Sequence, residues 1–255
     1  SRALGTMIGF NIPKNFNRPF RALNLQIFWR RWHISLGAWM RDYIFYPLAL
    51  TKPMQNLAKT CGTKFGKNLS RTIPAGIANI VVFFVVGLWH GAELHFIVWG
   101  LYNGLVIAMS DILSPVFSRI TGALKIPVAS KPFHIFRVLR TFIIVGIGRY
   151  FDRIGSIKDC MIFFKNTICN FQFDMMFSFD PEFIHKRIML MVLFLAMIFV
   201  FINSLLEESG KNMYDLLRST NTAARWSVYY FLIFLTLASF MPIGLTAGGF
   251  LYANF

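Results

Sequence analysis

The chain has 255 residues, 56% hydrophobic and only 15% charged, with a mean hydropathy of +0.54. Soluble domains carry roughly 25% charged residues, so the composition argues against an ordinary soluble domain. The net charge of +15 does not indicate nucleic acid, because the basic residues flank long apolar runs, where lysine and arginine anchor a span to anionic lipid.

The N-terminal SRALGTMIGF lacks the basic start, apolar run and small-residue cleavage site of a signal peptide. It reads as the middle of a longer protein. Pro13, Asn15, Asn17 and Pro19 then mark a loop, NIPKNFNRPF. The segment 20–50 is aromatic, but Arg21, Arg30, Arg31, Arg41 and Asp42 interrupt it. It cannot cross lipid as a bare helix, and it predicts one or two amphipathic helices lying in the interface or tucked into a bundle.

Crossing a bilayer takes about 20 apolar residues. Five runs approach that length, at roughly 73–90, 92–112, 134–151, 187–206 and 226–246. The first two are separated only around His90-Gly91, which predicts a tight re-entrant pair or one broken element. Irregular backbone at that depth needs cover from protein or a water-filled cavity.

Between the runs, 51–72 and 113–133 hold basic residues and no acid, whereas 152–185 mixes both signs. The excess of cytoplasmic lysine and arginine typical of membrane proteins predicts the first two loops inside and the third outside. The stretch 207–225 is balanced and carries no signal. Cys61, Cys160 and Cys169 are odd in number and lack paired spacing, so they predict neither a disulfide framework nor a zinc site.

Two Trp-His pairs stand out, Trp32-His33 and Trp89-His90. An ionisable ring at membrane depth is costly and is a functional candidate for that reason. The competing reading of His90 is a hydrogen-bonded structural histidine; that of His33 is a helix cap in the interface. His95, five residues after His90, falls on another face of a helix, so a two-histidine metal clamp is not expected. Glu93, three residues after His90, would share its face and could hydrogen-bond it. His134 and His185 fall near span ends. Trp32 and Trp89 could wall a site, although tryptophan is also common at membrane interfaces. An Arg41-Asp42 pair is more often structural than catalytic. No nucleophile elbow, phosphate loop or nicotinamide fingerprint is present.

Three successive stretches carry a family likeness: LGTMIGFNIPKNFNRPF, FWRRWHISLGAWMRDYIFYPL and GLWHGAELHFIVWGLYNGL. Together they resemble the membrane-bound O-acyltransferase family. The likeness is strongest to its bacterial branch of alginate and peptidoglycan O-acetyltransferases and the D-alanyl-lipoteichoic acid transfer protein. GRYFDRIGSIKDCMIFFKN, from Gly148 to Asn166, is similar to a later family segment, with Asp152 where a second Phe is usual. The final GGFLYANF resembles the aromatic tail of that branch. Family members are roughly twice as long, so the resemblance implies a single membrane domain over 1–255, the C-terminal portion of such an enzyme, lacking the N-terminal half.

The resemblance implies an all-α, polytopic transmembrane bundle in a bacterial plasma membrane. It implies transfer of an acetyl or D-alanyl group from a thioester to a hydroxyl of a cell-envelope polymer or exopolysaccharide. The donor would be acyl-coenzyme A or the phosphopantetheine thioester of an acyl carrier protein, with no bound cofactor and no metal. An extracytoplasmic acetyltransferase is a further partner it suggests. His90 corresponds to the family's catalytic histidine and His33 to its second motif histidine, while Arg31, Trp32, Asp42 and Trp89 are assigned to substrate binding. The alternative is a non-enzymatic transporter or flippase component of polymer export. Such proteins commonly repeat their broken helices, and the contexts of His33 and His90 are not copies of one another.

Overall fold

In a computed structural model of the chain, residues 2–170, 181–211 and 213–240 are described. They form helices and connections, with no strand among them. Two compact units divide the chain, residues 1–171 and 172–255.

The first unit is built on a helical hairpin. Helix α6 runs Lys67–His90 and α7 runs Leu94–Ile112, joined across Gly91-Ala92-Glu93. Of the two outcomes expected for this junction, the chain thus turns back on itself. The pairing is antiparallel, because Gly76 faces Ala108, Ile80 faces Gly104, Phe83 faces Gly100 and Gly87 faces Phe96. Gly100, Gly104 and Ala108 recur every fourth residue, which places them on one face of α7. Small residues at this spacing let two backbones approach closely, the usual means of joining helices in lipid. A Cβ at Gly100 would land on the Phe83 carbonyl, and one at Gly104 would come within 2.8 Å of the Ile80 Cα.

Ahead of the hairpin, α5 (Lys52–Phe65) packs on α6. The two are joined at Gly66, whose φ of 89° favours glycine. The stretch read as a basic loop, 51–72, is therefore helical almost throughout, and 113–133 likewise holds α8, Ser114–Ala123. The expected amphipathic helices of 20–50 are present: α2 (Leu25–Arg31), α3 (Ile34–Met40) and, after a π-helical turn at Arg41–Phe45, α4 (Tyr46–Ala49). A short α1 (Arg2–Met7) and a 3-10 turn (Pro19–Arg21) precede them.

Helix α9 (Lys131–Arg153) lies on α7 and α2, and α10 (Ile157–Cys169) lies on α9. Two buried clusters tie these parts together, one around Phe28, Phe83 and Ile107, the other around Met40, Val82, Val86 and Trp99; Trp29 packs against both. Arg140 of α9 also donates to the Leu23 carbonyl at 2.9 Å, fixing the entry to α2.

In the second unit, α11 runs Pro181–Glu208, α12 Met213–Arg218 and α13 Thr222–Phe240. Helix α11 leaves Met191, Phe194, Leu195, Phe199 and Phe201 exposed. All five expected runs fall on helices, but α6 and α7 are the two helices, among the described residues, long and apolar enough to cross a membrane. The end of the fifth run, the tail GGFLYANF and residues 171–180 of the mixed-charge loop lie outside the described residues.

The glycine contacts make a direct prediction. Gly100→Leu should destabilise the hairpin by at least about 1–3 kcal/mol, because backbone atoms cannot repack around the new side chain. Gly146→Ala on α9, where nothing lies within 4 Å, should be neutral or stabilising by up to about 1 kcal/mol. Thermal unfolding followed by helical circular dichroism in detergent separates the two; equal midpoints would contradict the close approach.

Candidate active site

The first Trp-His pair sits at the junction of α2 and α3. Helix α2 is capped by Asn24, whose Oδ1 accepts from Ile27 N–H at 2.8 Å. It ends at Trp32, and His33 occupies the residue before α3 with φ 49° and ψ 56°. A non-glycine residue in this left-handed region is uncommon, and such strain clusters at functional sites.

The cap of α3 comes from elsewhere. The Asn15 side chain accepts from Ser35 N–H at 2.9 Å, and its carbonyl accepts from Ile34 N–H at 3.0 Å. His33 makes no capping bond with its side chain, so its ring is not spent on ending the helix. Its Nδ1 is buried and has no hydrogen-bond partner among the described residues. A buried polar atom left in that state calls for an explanation, such as a ligand or water.

The second pair ends α6. The Trp89 ring centroid lies 6.0 Å from His33 and 5.0 Å from His90, edge-on to both. Both histidines therefore contact one indole. His90 also meets Trp99 at 4.9 Å and Phe96 at 6.0 Å, because the hairpin folds the start of α7 back beside it. The His90 ring makes no hydrogen bond among the described residues and is half-buried, so its nitrogens remain available.

The third side comes from α9. The Arg149 guanidinium lies over the Trp32 ring, 5.4 Å from its centroid, and donates to Asp152 at 2.5 Å. Behind this wall, Trp29 Nε1–H donates to Asn103 Oδ1 at 3.1 Å, and Asn103 Nδ2–H donates to the Trp99 carbonyl at 2.8 Å. A cavity of about 10 Å³ lies between Phe28, Trp29, Trp99, Asn103, Val145 and Arg149. That is the lower limit for one water, so the cavity has no room for a larger molecule.

The structure thus brings together His33, His90 and Trp89, while the ring of Trp32, next in sequence to His33, packs against Phe16, Phe20 and Phe28 under Arg149. It leaves the other two candidates in different roles. Arg31 donates to the Arg18 carbonyl at 3.4 Å and accepts from Asn17 N–H through its own carbonyl, holding the preceding loop. Asp42 pairs with its neighbour Arg41 at 2.9 Å, both side chains about half exposed. Glu93, expected beside His90, instead pairs with His95. No cluster suited to a metal occurs among the described residues.

Trp99, Asn103 and Arg149 were not singled out from sequence. Asn103 carried a signal, a polar amide four residues after a tryptophan inside an apolar helix. Arg149 gave none, because its place depends on how α9 crosses α2.

Comparison with known proteins gives the ancestry. The chain is 34% identical over 145 residues to a probable alginate O-acetylase of Azotobacter vinelandii, covering 57% of the chain and 23% of that protein. It is 30% identical over 173 residues to a peptidoglycan O-acetyltransferase of Helicobacter pylori, covering 65% and 27%. It is 35% identical over 103 residues to a teichoic acid D-alanyltransferase of Bacillus subtilis, covering 40% and 23%. The chain is thus similar to part of each of these enzymes. The matched stretches span about a quarter of each relative's length. No family model matches the chain.

The left-handed backbone at His33 allows a test that separates chemistry from folding. Asparagine enters this region readily, so His33→Asn should keep stability within about 1 kcal/mol of wild type. A loss beyond about 3 kcal/mol, measured by denaturant unfolding in detergent, would make His33 a packing residue.

Proposed function

We propose that this chain forms the histidine-bearing part of a multi-pass bacterial plasma-membrane O-acyltransferase. In this reading it moves an acetyl or D-alanyl group from a thioester to a hydroxyl of a cell-envelope polymer. The observation that carries the reading is the pair His33 and His90, both in contact with Trp89, in a chain similar to enzymes named for these transfers. Two helices apolar enough to span and a largely apolar exposed surface on α11 support the membrane setting.

An alcohol is a weak nucleophile near neutral pH, and a neutral imidazole can take its proton as the new bond forms. His90 is suited to this, since its nitrogens make no hydrogen bond among the described residues and its ring contacts Trp89, Phe96 and Trp99. The acceptor oxygen, losing its proton to His90, attacks the thioester carbonyl. The C–S bond then breaks, and the leaving thiolate takes the proton back from the imidazolium. His33 also meets Trp89, and its buried Nδ1 has no hydrogen-bond partner among the described residues. It is placed to orient the thioester or polarise its carbonyl rather than to hydrogen-bond His90. Trp32 and Trp89 form the aromatic walls. Arg31 serves through the loop it holds, and Asp42 through its pair with Arg41.

The donor is the thioester of coenzyme A or of a carrier protein's phosphopantetheine arm, and the acceptor an exopolysaccharide, peptidoglycan or teichoic acid. In membranes carrying the full-length protein, His90→Ala should cut acyl transfer by about 10²–10⁴-fold while leaving abundance and insertion unchanged. Assays with both donor types, acetyl and D-alanyl, read the loss. Activity within a few-fold of wild type would remove His90 from the base role.

A further inference from the structure

A buried amide in α7 joins the elements that carry the two histidines. Asn103 is 2% exposed, and a polar side chain in apolar surroundings is costly unless it is paired. Both ends of this amide have partners. The Trp29 indole N–H can only donate, so the atom it meets at 3.1 Å is the amide oxygen. The Trp99 carbonyl can only accept, so the atom facing it at 2.8 Å is the amide nitrogen. The partners thus fix the orientation of the amide. A leucine could serve neither of them, and an ionised aspartate could serve only Trp29.

Each partner leads to one histidine. Trp29 stands near the end of α2, four residues before His33. Trp99 meets the His90 ring at 4.9 Å and the Trp29 ring at 5.6 Å, edge-on to both. The Trp29 ring also meets Phe83 of α6 at 5.4 Å, so three helices converge on one indole. An α-helix closes its own carbonyls with its own backbone. The bond from Trp29 to Asn103 is therefore a tertiary contact and no part of forming α7. Packing alone leaves slack at this junction, since the cavity of about 10 Å³ is lined by Trp29, Trp99 and Asn103 among others.

We propose that Asn103 is a positioning residue, whose amide ties Trp29 of α2 to Trp99 of α7 and so fixes the His33 segment relative to the His90 ring. The catalytic consequence rests on the acyltransferase reading above; the tie itself does not. Two imidazoles on separate elements serve one reaction only while their spacing holds, and misplacement of a catalytic group by about 1 Å can cost 10²-fold in rate. Stacked rings resist separation but slide, whereas a hydrogen bond is directional and sets the register. Removing one partner strands the other as a buried polar group, which costs stability as well as position. Removing both costs position with little loss of stability. That difference separates positioning from folding.

The experiment uses the full-length protein in lipid nanodiscs, as wild type, Trp29→Phe, Asn103→Leu and the double variant. Each single variant should lower kcat by about 10–100-fold with KM within about twofold, the pattern of a misplaced catalytic group. The double variant should lose no more than the more impaired single, because both substitutions remove the same bond. Its thermal midpoint should rise above that of either single while its kcat stays low. In parallel, NMR with 13C-tryptophan and 15N-histidine labelling reads the contact between Trp99 and His90. That correlation should be present in wild type and weakened in all three variants.

Losses that multiply in the double variant, a kcat that recovers along with the thermal midpoint, or a Trp99–His90 correlation unchanged in the variants would overturn the proposal. If wild type transfers no acyl group from any donor tested, the acyltransferase reading fails and the NMR arm alone decides the tie. If either single variant does not fold, the double variant still decides it, since it leaves neither the indole N–H nor the amide stranded.

Discussion

The distance between α6 and α7 is set by atoms these helices lack. At Gly100 and Gly104 the backbone of one helix occupies the space where a side chain of the other would begin. That contact decides which residues can meet at the closed end of the hairpin. With Phe83 against Gly100 and Gly87 against Phe96, the last residues of α6 meet the first turns of α7, and His90 falls among Trp89, Phe96 and Trp99. A wider hairpin would leave His90 on an open helix end, a polar ring with nothing to orient it. In lipid, where apolar surfaces gain little by meeting, such close backbone packing is a main source of helix association.

His33 reaches the same place by a different device. Its segment is too polar to pack as a plain apolar helix, so it folds as short helices separated by a left-handed residue and a π turn. Asn15 takes over the capping of α3, which leaves the His33 ring beside Trp89 and not bound to its own backbone. Strain held at one residue by neighbours that do not depend on it is a common property of functional positions. Helix α9 completes the enclosure with Arg149 over Trp32, its charge offset by Asp152 on the next turn, so a cation stands beside the aromatic walls without being left unpaired.

Much of this was legible in the residues. The two Trp-His pairs, the helical runs and the polar interruptions of 20–50 follow from local composition, and the antiparallel hairpin was one of the two outcomes expected of His90-Gly91. The charges of 51–72 suggest a basic loop, but its amphipathic spacing and the break at Gly66 make it two helical stretches. Glu93 was placed with His90 on helical spacing, but Gly91 ends α6 and Glu93 stands just ahead of α7. The residues between them are therefore not helical, and the three-residue rule does not apply. Its partner is His95, which the sequence offered only as an unlikely metal ligand. The roles of Trp99, Asn103 and Arg149 depend on helices crossing in space, which no local pattern encodes.

The central claim is that one indole, Trp89, contacts both motif histidines, and solid-state NMR of the full-length protein in lipid tests it most directly. With 13C-tryptophan and 15N-histidine labelling, a single indole should correlate with the ring nitrogens of both His33 and His90, as centroid separations of 6.0 and 5.0 Å require. Both correlations should vanish together in Trp89→Phe. If the His33 correlation persists in that variant, or if no tryptophan connects the two rings, the histidines do not share a site and the account is wrong.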